Sequence, residues 1–296
     1  MSSVVIIDGK NFFSRLFHVG LRIVDKNKLM EFIFKNYIDT INKKYNRYTV
    51  YFVDDTCKSE RRLKIYPEYK AGRKTSLNEE ELKMFKEMSK DFRDIIYYSG
   101  GICLYGNGYE ADDYISMLVY ILSRHKIPII EIFSSDQDFL QLISDNVTCY
   151  LPTKQLTINK DNFYDIMNIR LSQYLEYKIL KGDNSDNISG VKGIGDKKAK
   201  KLLEEYGDIS NMIAELKLKD KLNKSEKKIL DAEKDIHIFR ELMDLSMVVK
   251  DKNLYKTTIL QVKSKHTNKE KLLKLFNKYK LNSIYKDIIK TVKNGK

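Results

Sequence analysis

Tryptophan is absent from the 296 residues of this sequence, and proline and cysteine occur three times each. The cysteines, Cys57, Cys103 and Cys149, lie far apart and form no C-x-x-C pair, which argues against a disulfide framework or a zinc site and favours a reducing compartment. The four histidines are scattered and add no metal-binding motif. No apolar run reaches the ~18 residues that a membrane span needs, and the opening residues lack a signal-peptide pattern. We therefore expect a cytoplasmic protein without membrane contact.

Basic residues are concentrated in the last third of the chain. Residues 190–296 carry 27 lysines and arginines against 15 aspartates and glutamates, which accounts for nearly all of the net charge of +13. A basic segment beside a nearly neutral one suggests a polyanionic partner such as nucleic acid. The abundance of Lys, Asn, Ile and Tyr is also what a low-GC genome would encode, so charge alone leaves both interpretations open.

Three short apolar runs, each ending in aspartate, alternate with helical patterns in the N-terminal part. The runs are residues 4–8 with Asp8, 50–55 with Asp54 and Asp55, and 129–138 with Asp136 and Asp138. This alternation indicates an α/β fold with a parallel sheet, and residues 28–45 have the spacing of an amphipathic helix. Because parallel strands end at one edge, where open sheets bind ligands, we expect these aspartates to share that edge.

The stretch YEADDYISMLV, residues 109–119, places three acidic side chains at the start of a predicted helix. An apolar face should pack on the sheet and turn Asp112 and Asp113 away from the core. That face comprises Ala111, Tyr114, Ile115, Leu118, Ile121 and Leu122. The helix dipole explains one or two acidic residues in a first turn, but six or more carboxylates at one sheet edge need bound cations. Ligands without Cys or His indicate Mg²⁺ or Mn²⁺.

Two further segments are less specific. Residues 181–187, KGDNSDN, contain Asp183 and Asp186 at a spacing that fits turn chemistry as well as metal ligation. Residues 66–95 combine a basic, glycine-containing turn with a charged helix that is too polar for buried core. We expect this segment to form a mobile insertion above the sheet edge. From about residue 170 onward the pattern is helical.

A glycine-rich segment, GVKGIGDKKAKKLLEEYG at residues 190–207, separates two predicted helices. Gly190, Gly193 and Gly195 allow tight turns and present backbone N–H groups, while the next helix offers its positive N-terminus to a phosphate. Lysines lie beside that N-terminus: Lys197, Lys198, Lys200 and Lys201. The pattern matches the helix–hairpin–helix, a binder of the DNA backbone that reads no base sequence.

Six blocks occur in the order found in structure-specific 5′ nucleases: IIDGKN, VDDTCKS…YPEYKAGR, YEADD, SSDQDF, KGDNSDN and GVKGIG. The chain resembles the structure-specific 5′ nucleases of the flap endonuclease family, of the phage 5′-3′ exonuclease or RNase H type, and is similar to the 5′ nuclease domain of bacterial DNA polymerase I. The resemblance implies a PIN-like parallel-sheet nuclease domain at residues 1–180, with a helical arch at about 66–95. An α-helical helix–hairpin–helix (H3TH) domain at 181–296 would follow. Since no polymerase segment is present, we expect the free-standing form.

The resemblance also implies roles for individual residues. Lys70 and Arg73 would meet the scissile phosphate, and Tyr69 would stack on a base. The family has one aspartate after the second strand; spacing favours Asp55, and Asp54 stays open. The implied metal ligands are Asp8, Asp55, Glu110, Asp112, Asp113, Asp136, Asp138, Asp183 and Asp186. The implied DNA-binding residues are Arg62, Lys74, Gly190, Lys192, Gly193, Gly195, Lys197, Lys198 and Lys201.

The implied activity is that of a metal-dependent 5′-3′ exonuclease and 5′-flap endonuclease in replication. It would use two or more Mg²⁺ ions, replaceable by Mn²⁺, with K⁺ as a further ion at the hairpin. The expected partners are DNA with 5′ flaps, nicks or 5′ ends, and RNA–DNA hybrids. We expect a monomer, in the host cytoplasm if the source is a phage. A branched-DNA-binding protein without catalysis and a PIN-type ribonuclease are the alternatives. The complete acidic set argues against the first, and the GVKGIG block against the second.

Overall fold

The structure is a computed structural model that describes residues 3–264 and 266–294, so the outermost residues of the two predicted domains lie outside the described part. The described residues contain a six-stranded sheet with the order β3-β2-β1-β4-β5-β6. Its strands are β1 (Ser3–Asp8), β2 (Tyr48–Val53), β3 (Ile102–Leu104), β4 (Ile130–Phe133), β5 (Val147–Leu151) and β6 (Leu156–Ile158). Pairing from β3 through β5 is parallel. This confirms the α/β class and the three predicted strands.

Fourteen α-helices lie within the described residues. They are α1 (Gly9–Ile23), α2 (Leu29–Lys44), α3 (Glu60–Ile65), α4 (Glu79–Tyr98), α5 (Ala111–Arg124), α6 (Phe163–Met167), α7 (Tyr174–Lys181), α8 (Asp196–Tyr206), α9 (Ile209–Leu218), α10 (Lys224–Asp231), α11 (Glu233–Met243), α12 (Lys252–Lys263), α13 (Lys269–Lys278) and α14 (Tyr285–Asn294). None of these described helices has both the length and the apolar character needed to cross a membrane.

The chain folds into two compact units, each made of separated stretches. The first unit comprises Met1–Lys58, Ser76–Thr157 and Val248–Lys296, and the second comprises Ser59–Thr75 and Ile158–Met247. The sequence suggested one boundary after residue 180. The last stretch belongs to the first unit because α13 and α14 add Phe276 and Ile288 to the same core as β1. The short stretch at 59–75 belongs to the second because Arg62 donates its Nε–H to the carbonyl of Leu242.

The core of the first unit packs against both faces of β1, whose residues after Ser3 are all buried, as expected for a central parallel strand. Phe12 of α1 and Phe92 of α4 are fully buried with stacked rings 6.2 Å apart. Asp8 ends β1 and is also the N-cap of α1, because its carboxylate accepts the N–H of Asn11. The same residue therefore stops the strand and starts the helix, which fixes an acidic side chain at the sheet edge.

Residues 66–95 do not form one polar insertion. Their C-terminal part is α4, which begins with a reciprocal capping box between Asn78 and Glu81. Phe85, Met88 and Phe92, spaced three and four residues apart, are buried in the core of the first unit. The helical character is confirmed, but the expectation that this segment is too polar for core is wrong for α4. Its charges mostly occupy one side and leave an apolar stripe on the other.

Candidate functional site

The first unit brings acidic residues to one edge of the sheet. β1 ends at Asp8, and β2 and β4 stop one residue before Asp54 and Ser134. Because β1 pairs in parallel with both neighbours, the three strands end side by side. The start of α5 lies close to that edge, since the charge of Asp112 acts on Asp8. We call the following set the acidic edge: Asp8, Asp54, Asp55, Glu110, Asp112, Asp113, Asp136 and Asp138.

Asp8 is a buried carboxylate at this edge. Its Oδ1 accepts a hydrogen bond from the N–H of Asn11 at 3.1 Å, and its Oδ2 accepts one from the Ser134 hydroxyl at 2.7 Å. Burial raises the pKa of Asp8 to about 6, although the two hydrogen bonds lower it. The charges of Asp54 and Asp112 add to the rise. A cation bound nearby would relieve this unfavourable charge.

Asp54 and Asp55 differ in their surroundings. Asp54 is buried, its Oδ2 lies 3.2 Å from Nη1 of Arg93, and its Oδ1 accepts the N–H of Asp55 at 3.0 Å. Arg93 also donates to Asp94 at 2.9 Å and lies 4.3 Å from the ring centre of Tyr105. Both carboxylate oxygens of Asp54 thus have protein partners, as do those of Asp8, and the ligand role of Asp55 stays a prediction. No motif in the sequence marks Arg93 as the partner of Asp54.

The start of α5 is a reciprocal cap. The N–H of Glu110 donates to Oδ2 of Asp113 at 3.0 Å, and the Glu110 side chain accepts the N–H of Asp113. The predicted apolar face of α5 is confirmed as buried. The expectation that both aspartates turn away from the core is wrong for Asp113, which is 1% exposed because its carboxylate folds back onto the helix start. Asp112 is half-buried.

The turn after β4 is organised by Ser134 and two aspartates. Asp136 Oδ1 accepts the N–H of Asp138 at 2.9 Å, and the N–H of Asp136 donates to the Ser134 hydroxyl at 3.0 Å. Because that hydroxyl also donates to Asp8, one serine joins the acidic groups of β1 and β4. Ser134 was not among the predicted site residues, although it is the first residue of SSDQDF and lies two residues before Asp136.

The acidic edge fits a hard divalent cation by the chemistry of its donors. They are all carboxylate oxygens, and buried Asp8 carries a charge that needs compensation. Within residues 3–264 and 266–294, no three Asp, Glu, His or Cys side chains are already arranged so that they could hold a metal ion. The hydrogen bonds described above hold several of these carboxylates, so a cation would have to replace some of them.

The second unit contains another predicted site, where two loops meet. Arg73 donates its Nε–H to the carbonyl of Ser185 at 2.9 Å, and its Nη2 pairs with Asp186 Oδ1 at 2.5 Å. The Tyr69 hydroxyl donates to Asp186 Oδ2 at 3.0 Å. Lys70 has the left-handed φ of 56°, and its N–H donates to the Asp186 carbonyl at 3.0 Å. Such a backbone conformation is strained for a lysine and persists because these bonds hold it.

Two side chains expected to contact nucleic acid are buried instead. Tyr69 is 2% exposed, and Arg62 has no exposed surface. The guanidinium of Arg62 lies 5.8 Å from the Tyr69 ring centre, and its Nε–H donates to the carbonyl of Leu242. The base-stacking role for Tyr69 and the DNA contact for Arg62 stay predictions, although neither side chain has much exposed surface. Both side chains support the loop that carries Lys70 and Arg73.

Asp183 has a cationic partner that the sequence did not reveal. Lys178 Nζ lies 2.7 Å from Asp183 Oδ2, and the N–H and hydroxyl of Ser185 donate to Oδ1. Burial works to raise the pKa of Asp183, but these bonds outweigh it and bring the pKa to about 2. Asp183 is thus an ionised, compensated carboxylate. No motif marks Lys178, which lies five residues earlier on α7.

The predicted helix–hairpin–helix is present, with α7 and α8 flanking a glycine-rich turn. Gly182 and Gly190 have φ values of 80° and 63°, and their backbones pack directly together. A Cβ on Gly190 would lie 2.4 Å from the nitrogen of Gly182, so only glycine fits. Gly190 is buried. The expected DNA contact at Gly190 stays a prediction, and this buried glycine closes the hairpin.

The other side of the hairpin is exposed and basic. Val191 and Ile194 are buried and anchor the turn, whereas Gly193 and Gly195 are exposed. A Cβ on Gly195 would meet nothing within 4 Å, so the N-terminus of α8 is open to an incoming group. The predicted DNA-binding lysines are all exposed: Lys74, Lys192, Lys197, Lys198 and Lys201.

Comparison with known proteins matches both parts of the chain to one family. The 5′-3′ exonuclease N-terminal resolvase-like domain matches residues 3–168, and the 5′-3′ exonuclease C-terminal domain, of SAM fold, matches residues 169–268. The 5′-3′ exonuclease of Mycoplasma pneumoniae is 31% identical, with 96% of this chain and 98% of that protein covered. DNA polymerase I of Caldicellulosiruptor bescii is 30% identical over 96% of this chain, which spans 33% of the polymerase.

Solved structures agree. A T5 protein co-crystallised with metal ions has a TM-score of 0.72 and 26% identity, covering 88% of this chain and 100% of that one. A phage T5 flap endonuclease in a complex with DNA and metal ions has a TM-score of 0.73, with 98% of this chain and 99% of that one covered; at 24% identity it shows the fold alone. With both family domains matched in order across residues 3–268, the chain belongs to the 5′-3′ exonuclease family of nucleases.

Proposed function

We propose that the protein is a divalent-metal-dependent 5′-3′ exonuclease and structure-specific 5′-flap endonuclease. The observation that carries this proposal is the acidic edge, where buried Asp8 has its pKa raised to about 6 by burial and by neighbouring carboxylates. The mutual repulsion of these carboxylates costs free energy that a bound cation would offset, so the cluster in a member of a nuclease family indicates a cation-binding role.

Asp8, Asp55, Glu110, Asp112, Asp113, Asp136 and Asp138 would hold the ions. Mg²⁺ is the proposed cofactor, with Mn²⁺ as a substitute, because all the donors are oxygen. A pair of such ions supplies an activated water and stabilises the leaving oxygen in phosphodiester hydrolysis. The T5 protein co-crystallised with metal ions supports a metal role. The ligand roles of Asp183 and Asp186 in the second unit stay predictions.

Lys70 and Arg73 would offset charge that develops on the phosphoryl oxygens. Their loop is fixed by Tyr69 and by the contacts of Arg73 with Ser185 and Asp186, so the Arg73 guanidinium and the backbone of Lys70 are held in place before substrate binds. Preorganised positive charge of this kind stabilises a transition state more than flexible charge does. Arg73 is exposed and therefore accessible to a nucleic-acid strand.

The hairpin would bind duplex DNA through its backbone. Exposed lysines and the open N-terminus of α8 contact phosphate and read no bases, so substrate choice would follow from shape: a 5′ end, flap or nick. RNA in RNA–DNA hybrids is a further proposed substrate, as primer removal requires. We also propose that K⁺ binds at the hairpin turn and that the protein acts as a monomer.

The test is cleavage of an end-labelled 5′-flap DNA, a nicked duplex and an RNA–DNA hybrid, each with and without Mg²⁺. We expect Mg²⁺-dependent products that carry 5′-phosphate and 3′-hydroxyl ends. Tight binding of the flap without cleavage would instead identify a non-catalytic branched-DNA-binding protein. Cleavage of single-stranded RNA with no activity on the DNA flap would identify a PIN-type ribonuclease.

A further inference from the structure

The loop between β3 and α5, residues 105–110, leads directly into the acidic start of α5. Gly106, Asn107 and Gly108 all have positive φ values, of 80°, 58° and 77°. Three successive residues in this conformation form neither helix nor strand. The N–H of Tyr109 donates to the carbonyl of Gly106 within the loop, and further partners come from outside it. Its position decides where Glu110 and the two following aspartates lie.

Helix α12 supplies partners at the beginning of this loop. The side-chain amide of Gln261 accepts the N–H of Tyr105 at 2.9 Å and donates to the carbonyl of the same residue at 2.9 Å. One side chain thus satisfies both backbone groups of Tyr105, as a neighbouring strand would. Both bonds form only when the backbone of Tyr105 lies at one position relative to the Gln261 amide, so they fix where the loop begins.

The same helix holds the end of the loop. The Tyr109 hydroxyl donates to Oδ2 of Asp251 at 3.0 Å. Asp251 is the N-cap of α12, and its Oδ1 accepts the N–H groups of Asn253 and Leu254. Because the cap bonds fix the carboxylate, its second oxygen is a rigid acceptor for Tyr109, the residue directly before Glu110.

The inner side of the loop is held by the first unit itself. The Tyr114 hydroxyl donates to the carbonyl of Gly106 at 3.1 Å, and the Cys57 thiol donates to the carbonyl of Tyr109 at 3.2 Å. Cys57 lies two residues after Asp55, so this contact joins two acid-bearing loops. With α12 on one side and these groups on the other, the loop is fixed at both ends.

We propose that Asp251 and Gln261 are positioning residues for the acidic edge, acting through Tyr109 and Tyr105 to set the placement of Glu110, Asp112 and Asp113 for cation binding. The inference rests on the proposed function. It assigns to α12, in a part of the chain where the sequence offered nothing beyond amphipathic lysine-rich helices, a role in metal affinity rather than in DNA contact.

The decisive variant is Tyr109→Phe in the full chain, because it removes one hydroxyl and leaves the cap of α12 intact. We expect Mn²⁺ affinity, measured by electron paramagnetic resonance without DNA, to fall about tenfold, as loss of outer-shell support does in other metal sites. At subsaturating Mg²⁺, kcat on the flap substrate should fall similarly while KM for DNA stays unchanged. Gln261→Leu should have the same signature.

Two controls separate positioning from general damage. Asp251→Asn keeps the cap oxygen and places an amide NH₂ opposite Tyr109, which can donate to the tyrosine hydroxyl, so the contact persists with reversed direction and the variant should bind Mn²⁺ as the parent does. Tyr120→Phe, on the distal part of α5, is a matched loss of a tyrosine hydroxyl and should leave affinity unchanged. Parental Mn²⁺ affinity in Tyr109→Phe, or equal impairment in Asp251→Asn, would overturn the proposal. A parent protein that neither binds Mn²⁺ nor cleaves DNA would overturn the proposed function itself.

Discussion

Arg93 and Asp54 form a buried ion pair with 3.2 Å between Nη1 and Oδ2. The same guanidinium lies 2.9 Å from Asp94, so one cation compensates two carboxylates. Removing one partner of a buried pair leaves an uncompensated charge and costs about 3–5 kcal/mol. We expect Arg93→Met, which keeps most of the side-chain volume, to lower the free energy of unfolding by about that amount in chemical denaturation.

The double variant Asp54→Asn with Arg93→Met should recover part of this loss, since it removes one of the stranded charges. Lys43→Met is the matched control, because its pair with Asp39 is exposed and should matter by less than about 1 kcal/mol. A single Arg93→Met protein as stable as the parent would contradict the role given to this pair.

Asp138→Asn tests the acidic edge directly. The substitution keeps the shape of the side chain but removes a charge that a cation needs, and a lost metal contact worth several kcal/mol corresponds to a fall of at least about 100-fold in kcat. Binding of the flap DNA, measured by fluorescence anisotropy in Ca²⁺, should change less than about threefold. Normal turnover in Mg²⁺ would refute the ligand assignment.

Lys70→Met tests the basic loop of the second unit. Methionine keeps the length of the stem while removing the charge, so kcat should fall about 10²–10³-fold, as when a preorganised transition-state donor is lost. Lys74→Met, four residues later and exposed, is the matched control. This variant should bind DNA more weakly, and the slope of log affinity against log salt concentration should become smaller by about one. Its kcat at saturating DNA should stay unchanged. Single-turnover kinetics at saturating enzyme distinguish the two effects.

Gly190 and Gly195 should respond differently to alanine. At Gly190 a Cβ would clash with backbone atoms of Lys181 and Gly182, so the variant should unfold at a lower temperature. At Gly195 a Cβ meets open space, and the fold should persist while close approach of a phosphate to the helix start is hindered. We expect weaker flap binding with unchanged melting temperature for Gly195→Ala. Equal stability of the two variants would contradict the packing described for the hairpin.

The pKa of Asp8 rises from 3.8 to about 6 on folding. Folding therefore favours the protonated carboxyl between these values, and the metal-free protein should lose stability as pH rises from about 4 to about 6. A cation needs the ionised form, so Mn²⁺ affinity should increase with pH up to about 6 and then level off. Titration calorimetry from pH 5 to 8 measures this, and the inflection should disappear in Asp8→Asn.

Sequence patterns predicted the strands and helices whose apolar residues form runs or recur at regular spacing. The aspartates after β1, β2 and β4 were found because each ends an apolar run, and parallel pairing then brings the strand ends together. The start and end of α8 follow from its glycines and its apolar spacing. The short strand β3 was missed, because three residues give no periodicity.

Partners distant in the sequence could not be predicted. The family resemblance implied nucleic-acid contacts for Arg62, Tyr69 and Gly190, yet each is buried. Burial depends on what packs against a residue, and the partner of Arg62 lies 180 residues away. Asp251 and Gln261 could not be predicted for the same reason. Neither carries a motif, and their partners, Tyr109 and Tyr105 in the loop before Glu110, lie 142 and 156 residues earlier.

The interleaved stretches of the first unit have a consequence for synthesis. β1 leaves the ribosome early, but the helices that complete its core come from the last fifty residues or so of the chain. A nascent chain paused before residue 248 therefore exposes apolar surface that α13 and α14 later cover, and it lacks Asp251 and Gln261. Nuclease activity should thus arise only once translation of these helices is complete.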